Sequence, residues 1–268
     1  MGQLLALAGL GFVLGVRHAA DADHVIAVST IVARSGRVAY SSLIGVLWGL
    51  GHAITVTLVG VLIIGFNLVI PPAVGLAMEL AVAVMLVLLG VLNLTGVLRA
   101  VTERLTPPAP VHGHAHEHLH AHDAGEEPHG HAHAHLHGHG VDEDLRAPHG
   151  GWLAQLGWYQ VLRPVFVGLV HGLAGSAAVA LLVLSTIHET SAAVLYLLIF
   201  SAGVATGMAL LTTLLGLPMA YANVHYRQLN RWLTVGSGVL SIVFGLYLAY
   251  QIGIVDGLFT GGFTWEPA

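Results

Sequence analysis

A chain of 268 residues with 56% hydrophobic and only 9% charged residues cannot be an ordinary soluble domain, where about a quarter of positions carry charge. Mean hydropathy is +0.79, apolar runs approach 20 residues, and no period-two alternation runs through them, so the class is an all-α integral membrane protein rather than a β-barrel. The chain has no cysteine, which excludes disulfides and thiolate metal sites; its net charge of −5 says little, because much of the acid lies in one loop, and no nucleic-acid partner is expected.

Six apolar segments are expected to be transmembrane helices. The first runs from about Leu4 to Val32 and is long for one straight span. No basic residue precedes Arg17, so it lacks the n-region of a signal peptide and is expected to stay in the mature protein. It encloses Arg17-His18-Ala19-Ala20-Asp21-Ala22-Asp23-His24. A charge at bilayer depth costs roughly 2.5–3.5 kcal/mol on insertion scales, so polar groups kept there have a use. On a helix, His18, Asp21 and His24 share an arc about 120° wide. Such a set suits part of the shell of a divalent transition metal. It also suits a polar packing cluster with Arg17 paired to an aspartate. A break is expected between Gly15 and Asp23.

The second segment, about Tyr40 to Phe66, contains Gly51-His52. The third is opened by Pro71-Pro72 and ends near Leu98; it holds Glu79, the only glutamate well inside a span. Next comes a different kind of sequence, 99–160, with thirteen of the nineteen histidines between His112 and His149. His112, His114, His116, His118, His120 and His122, then His129, His131, His133, His135, His137 and His139, alternate with glycine, alanine, leucine or glutamate. Such a tract cannot bury a core and is expected to be disordered, binding metal with low specificity or serving only as a biased linker. Its tail, Trp152 to Tyr159, reads as a short amphipathic interfacial segment. The fourth span, about Val161 to Ile187, carries His171-Gly172-Leu173-Ala174-Gly175-Ser176. The fifth, about Ala192 to Leu217, ends before Pro218, and the sixth covers about Trp232 to Ile254.

Arginine placement orients the chain. Arg34, Arg37, Arg99, Arg104, Arg146, Arg163, Arg227 and Arg231 all fall on one side of a six-span arrangement, which is then cytoplasmic. Both termini face outward and the histidine loop faces in. An internal repeat relates Gly51 to Gly60 with Gly207 to Gly216, His18 with His171, and Gly90 with Gly245, all at a shift of about 155 residues. Three spans per repeat invert the second half. The expected organisation is therefore a first three-helix repeat over 1–98, the histidine-rich cytoplasmic loop over 99–160 and a second repeat over 161–268, with the site at the repeat interface.

His18, His24, His52 and His171 are every histidine inside the expected spans. Four imidazoles and two carboxylates suit Ni²⁺ or Co²⁺ better than Mg²⁺ or Ca²⁺, which want oxygens. At these residues the chain resembles the nickel/cobalt transporter family. Arg17 to His24 is similar to that family's signature of a His, four residues and an Asp-His in a transmembrane helix, and Gly51-His52 is similar to its second signature. Six spans and His171 to Ser176 resemble the shorter branch of urease-accessory-like nickel permeases. Longer members have eight spans and an acidic motif in the later half, which this chain lacks.

The resemblance implies a Ni²⁺ or Co²⁺ permease of the cytoplasmic membrane, not an enzyme and without a prosthetic group. It implies His18, Asp23 and His24 as selectivity residues with Asp21 and His52 as supporting ligands; His171 completes the candidate metal set, and Arg17 and Glu79 are candidate supporting residues. A cytoplasmic metallochaperone is a candidate partner. Uptake is favoured over efflux because the motif is Asp-Ala-Asp-His. A Ni²⁺, Co²⁺ or Zn²⁺ exporter collecting metal on the loop, an intramembrane metalloenzyme and a proton-coupled carrier of an organic solute stand as alternatives.

Overall fold

The computed structural model describes residues 2–33, 37–66, 68, 70–97, 112–120, 129–137, 158–186 and 189–264. Among them are seven α-helices: α1 (Gly2–His18), α2 (Ala22–Val32), α3 (Val38–Phe66), α4 (Pro72–Thr95), α5 (Trp158–Thr186), α6 (Thr190–His225) and α7 (Arg227–Tyr250). A π-helical turn, Gln251–Val255, continues α7. Four helical stretches are long and apolar enough to cross a membrane: Val38–Phe66, Pro72–Thr95, Thr190–His225 and Gln228–Val255. The protein is a multi-pass membrane protein.

The first expected span is two helices. After His18 the chain makes two tight turns, Ala20 N–H to Arg17 C=O at 2.9 Å and Asp21 N–H to His18 C=O at 3.0 Å. Asp21 then sits extended at the N-cap of α2, φ −63° and ψ 153°. With 17 and 11 residues, neither α1 nor α2 alone has the length of a span. The break falls where the polar motif lies, as expected.

The other boundaries shift by a few residues, with one larger departure. Pro218 was expected to end the fifth span, yet α6 runs through it to His225. Proline removes one backbone donor, and membrane helices absorb that loss by local adjustment of the freed carbonyl. At α4 the punctuation works as it should, with Pro72 in the first turn and Gly96 at φ 71° closing the end.

Helix contacts are made by small residues, as expected where apolar burial does not drive association. α1 meets α6 through Gly15, set on the backbone of Phe200 and Val204, and through Gly207, set on Val16 and Ala19. α3 meets α6 through Gly49 on Ala205, with Ser42 Oγ and Thr213 Oγ1 at 2.8 Å and Thr57 Oγ1 and Ser201 Oγ at 3.0 Å. α3 meets α5 through Gly51 on Val165 and Leu169, Gly168 on Trp48, and Gly172 on His52. These four helices form a row in the order α1, α6, α3, α5. α4 and α7 pair through Gly90 and Gly245, and Ser241 Oγ donates to Leu86 C=O at 2.7 Å. α2 is buried along most of its length and is tied to α7, where Thr30 Oγ1 donates to Ser237 C=O at 3.1 Å.

Residues 102–160 form one compact unit, and 1–101 with 161–268 form another, the helical one. Within the first, two strands, β1 (His112–His120) and β2 (His129–His137), pair antiparallel. The register sets His112, His114, His116, His118 and His120 opposite His137, His135, His133, His131 and His129. The tract was expected to lack regular structure. Its strict His-x-His alternation has the period of a strand, and a strand is what 112–120 and 129–137 adopt. His122, His139 and Trp152 lie outside the described residues.

Candidate metal centre

Four helices bring His18, His24, His52 and His171 together. The break between α1 and α2 turns the chain so that His18, the last residue of α1, and His24, in the first turn of α2, face each other with ring centroids 4.9 Å apart. His52 lies midway along α3, directly after Gly51. His171 lies on α5 between Gly168 and Gly172. A Cβ at either glycine would strike the backbone of Trp48 or His52, so glycine there lets α5 and α3 touch main chain to main chain. That contact brings His171 to within 6.0 Å of His52 between centroids and 4.0 Å of His24.

His18, His24 and His52 form a near-equilateral triangle, with centroid separations of 4.9, 5.2 and 5.4 Å. One nitrogen from each falls within 4.8 Å of the others, and Asp23, His24 and His171 make a second such group. His24, His52 and His171 are fully buried and His18 is partly so. Phe200 of α6 packs against His18, and Trp48 of α3 lies nearly parallel to His24 at 6.4 Å.

The two aspartates do different work from what a helical arc suggested. Asp21 Oδ2 lies 2.8 Å from His18 Nδ1, an ion-pair contact. Asp23 Oδ1 accepts from His24 Nδ1 at 3.1 Å and from the His24 backbone N–H at 2.9 Å, while its Oδ2 accepts from His171 Nε2 at 2.9 Å. A carboxylate only accepts, so each contacted imidazole nitrogen carries the proton and its other nitrogen presents a lone pair. Those other nitrogens, His18 Nε2, His24 Nε2 and His171 Nδ1, are buried without a protein partner, as are both ring nitrogens of His52. An unsatisfied buried polar atom costs on the order of 1–3 kcal/mol, and this centre gathers five of them. A carboxylate behind an imidazole whose far nitrogen points inward is how metal-binding histidines are oriented.

Other candidate residues stand apart. Arg17 is exposed at the end of α1, and the motif's aspartates pair with histidines. Glu79 is half-buried on α4 and belongs to neither histidine group. The described loop histidines lie on β1 and β2. Trp48 and Phe200 went unnoticed in the sequence. Trp48 could have been found, because it precedes His52 by one helical turn and so shares its face.

Residues 4–255 match the family described as high-affinity nickel-transport protein. The urease accessory protein UreH of Bacillus sp. (strain TB-90) is 34% identical over 257 residues, covering 96% of each chain. No solved structure matches the chain significantly.

Proposed function

Since the chain belongs to the high-affinity nickel-transport family, and is therefore a membrane transporter and not an enzyme, we propose that it is a permease that carries Ni²⁺ into the cytoplasm through a centre built on His18, His24 and His52. One observation carries this reading: three imidazoles, two of them fully buried, converge, each with a buried open nitrogen, and two are held by carboxylates at their far side. Imidazole suits nickel and cobalt, so Co²⁺ is a second substrate of the same centre. In this assignment Asp21 and Asp23 orient His18 and His24, and Trp48 and Phe200 wall the centre.

The architecture proposed with it is a 3+3 inverted repeat of six spans, with α1 and α2 together as a broken first span. Its support is that glycine contacts occur in matched pairs: Gly15 on Val204 with Gly168 on Trp48, Gly207 on Val16 with Gly51 on Leu169, and Gly90 on Ile242 with Gly245 on Val87. Each contact maps onto its mate by a shift of about 155 residues, as repeated halves require. Arginine distribution supports a cytoplasmic-membrane location with both termini outside and the histidine tract inside. There the tract would buffer incoming metal ahead of a metallochaperone; an exporter would use the same tract to collect it.

Radioactive nickel flux into proteoliposomes of known orientation, with and without a proton gradient, tests the reading. Uptake toward the cytoplasmic face that vanishes in His52→Ala is the expected result. Flux in the opposite direction replaces uptake with efflux, and flux unaffected by His52→Ala removes the centre.

A further inference from the structure

We infer that the centre offers the ion two overlapping positions that share His24, the second formed by Asp23, His24 and His171, and that transport passes the ion from one to the other. This rests on the permease reading above and adds His171 to it as a transit ligand.

His24 is the residue common to both groups. Its Nδ1 is engaged by Asp23 and its Nε2 is open, so it serves one ion at a time. The ring sits 4.9 and 5.2 Å from His18 and His52 and 4.0 Å from His171. Asp23 Oδ2 and His171 Nε2 lie 2.9 Å apart. Two adjacent ligands on a first-row divalent ion, at bonds of about 2.1 Å, keep roughly that separation. The pair is thus spaced to take an ion in place of the hydrogen bond that joins it, once the imidazole proton moves from Nε2 to the open Nδ1.

The framework favours a handover at α2 rather than a collapse of the helices. Gly168 and Gly172 fix His171 to α3 at His52, and Gly15 fixes the end of α1 to α6. Asp23 and His24 sit instead in the first turn of an 11-residue helix directly after a break. They are the ligands on the segment best placed to shift, and they face His18 and His52 as well as His171.

The test uses the intact protein in detergent and in proteoliposomes. Occupancy is read as the rise in thermal midpoint on adding Ni²⁺, since a ligand bound only to the folded state raises it. Transport is read as nickel flux, and the metal-free midpoint checks folding. His171→Ala is expected to keep most of the nickel-induced rise while flux falls by at least about tenfold. His171→Gln, which keeps a donor toward Asp23, is expected to lose flux equally. If His171→Ala abolishes the nickel-induced rise, there is one four-histidine site and no second position. If His171→Gln transports as the parent does, His171 only supports Asp23. Either result overturns the two positions and leaves the permease reading standing. That reading fails separately, on His52→Ala retaining both the rise and the flux.

Discussion

His18 and His171 stand in corresponding places, each three residues after a glycine that packs on a neighbouring helix's backbone, Gly15 on α6 and Gly168 on α3. Beyond that point the two chains part. After His18 the helix stops; after His171 it runs on to Thr186. The difference lies in three side chains. Asp21 caps a new helix at the position where α5 has Ala174, and Asp23 and His24 replace Ser176 and Ala177. The same aspartate that restarts the helix turns its carboxylate onto His18 instead of onto the helix N-terminus, where a capping side chain would go. The break and the centre are therefore one feature: polar residues that would be costly inside a continuous span are used to end it, and the ended span faces its own continuation.

The comparison breaks most completely at His24. Replacing it with alanine removes the ring common to both histidine groups, and nickel flux is expected to fall by about 100-fold or more, with His18→Ala and Asp23→Ala close behind. Membrane insertion should persist, because each change makes the segment more apolar. Flux close to the parent's in any two of these three variants would remove the motif from the centre.

Asp21 separates the two jobs. Asp21→Ala takes away the polar side chain at the N-cap position and the carboxylate behind His18; Asp21→Asn keeps a polar side chain suited to that position and loses the charge. An orienting carboxylate is worth about 10–100-fold in metal affinity, so Asp21→Asn should weaken nickel binding by an amount in that range. Asp21→Ala should weaken it further, because helix can then propagate across the break. Equal affinities in the two variants would show that the cap has no part in forming the centre.

How much of this was readable in advance follows from what each feature depends on. The broken first span was legible because charge inside an apolar run is a local signal. The histidine set was legible because few histidines sit in apolar sequence. The partners of Asp23 were not. Asp21, three residues after His18, is within its reach on an unbroken helix too, but the pairing of Asp23 with His24 and with His171 of α5 depends on the tertiary arrangement. Pro218 misled because proline's stop signal is calibrated on helices in water. In the histidine tract, low hydrophobicity was weighed and the period of two was not.

Helix spacing offers a third, smaller effect. Gly168→Ala places a Cβ against the backbone of Trp48, and α3 and α5 must separate to admit it. Overpacking of this kind costs about 1–3 kcal/mol, and here the separation also carries His171 away from His52. Gly236→Ala is the control. It is helical with nothing within 4 Å of the new atom, so stability should hold or rise by roughly 0.5–1 kcal/mol. Thermal unfolding of the two variants in detergent compares them directly, and a Gly168→Ala protein as stable as Gly236→Ala would show that this close approach is not needed.

Flux should respond least to the histidine tract. Its strands belong to a unit apart from the helical one, and the buried centre is complete without them. Deleting Val111 to Gly140 is therefore expected to lower the nickel bound per molecule while leaving flux within about twofold, the change that a buffer next to a single-file site would make. The two metal pools should also separate by pH. An imidazole binds metal only when neutral, and its ordinary pKa is about 6.5, so binding by histidines in water is present above that value and is lost as pH falls through it. Nickel titrations of intact and deleted protein between pH 5 and 8 should show that component in the first and not in the second. What remains in the deleted protein belongs to the centre, and it should shift in Asp21→Asn and not in the Gly236→Ala control. A deletion that stops flux altogether would make the tract a gate, and one that leaves no nickel binding at any pH would make it the protein's whole metal site.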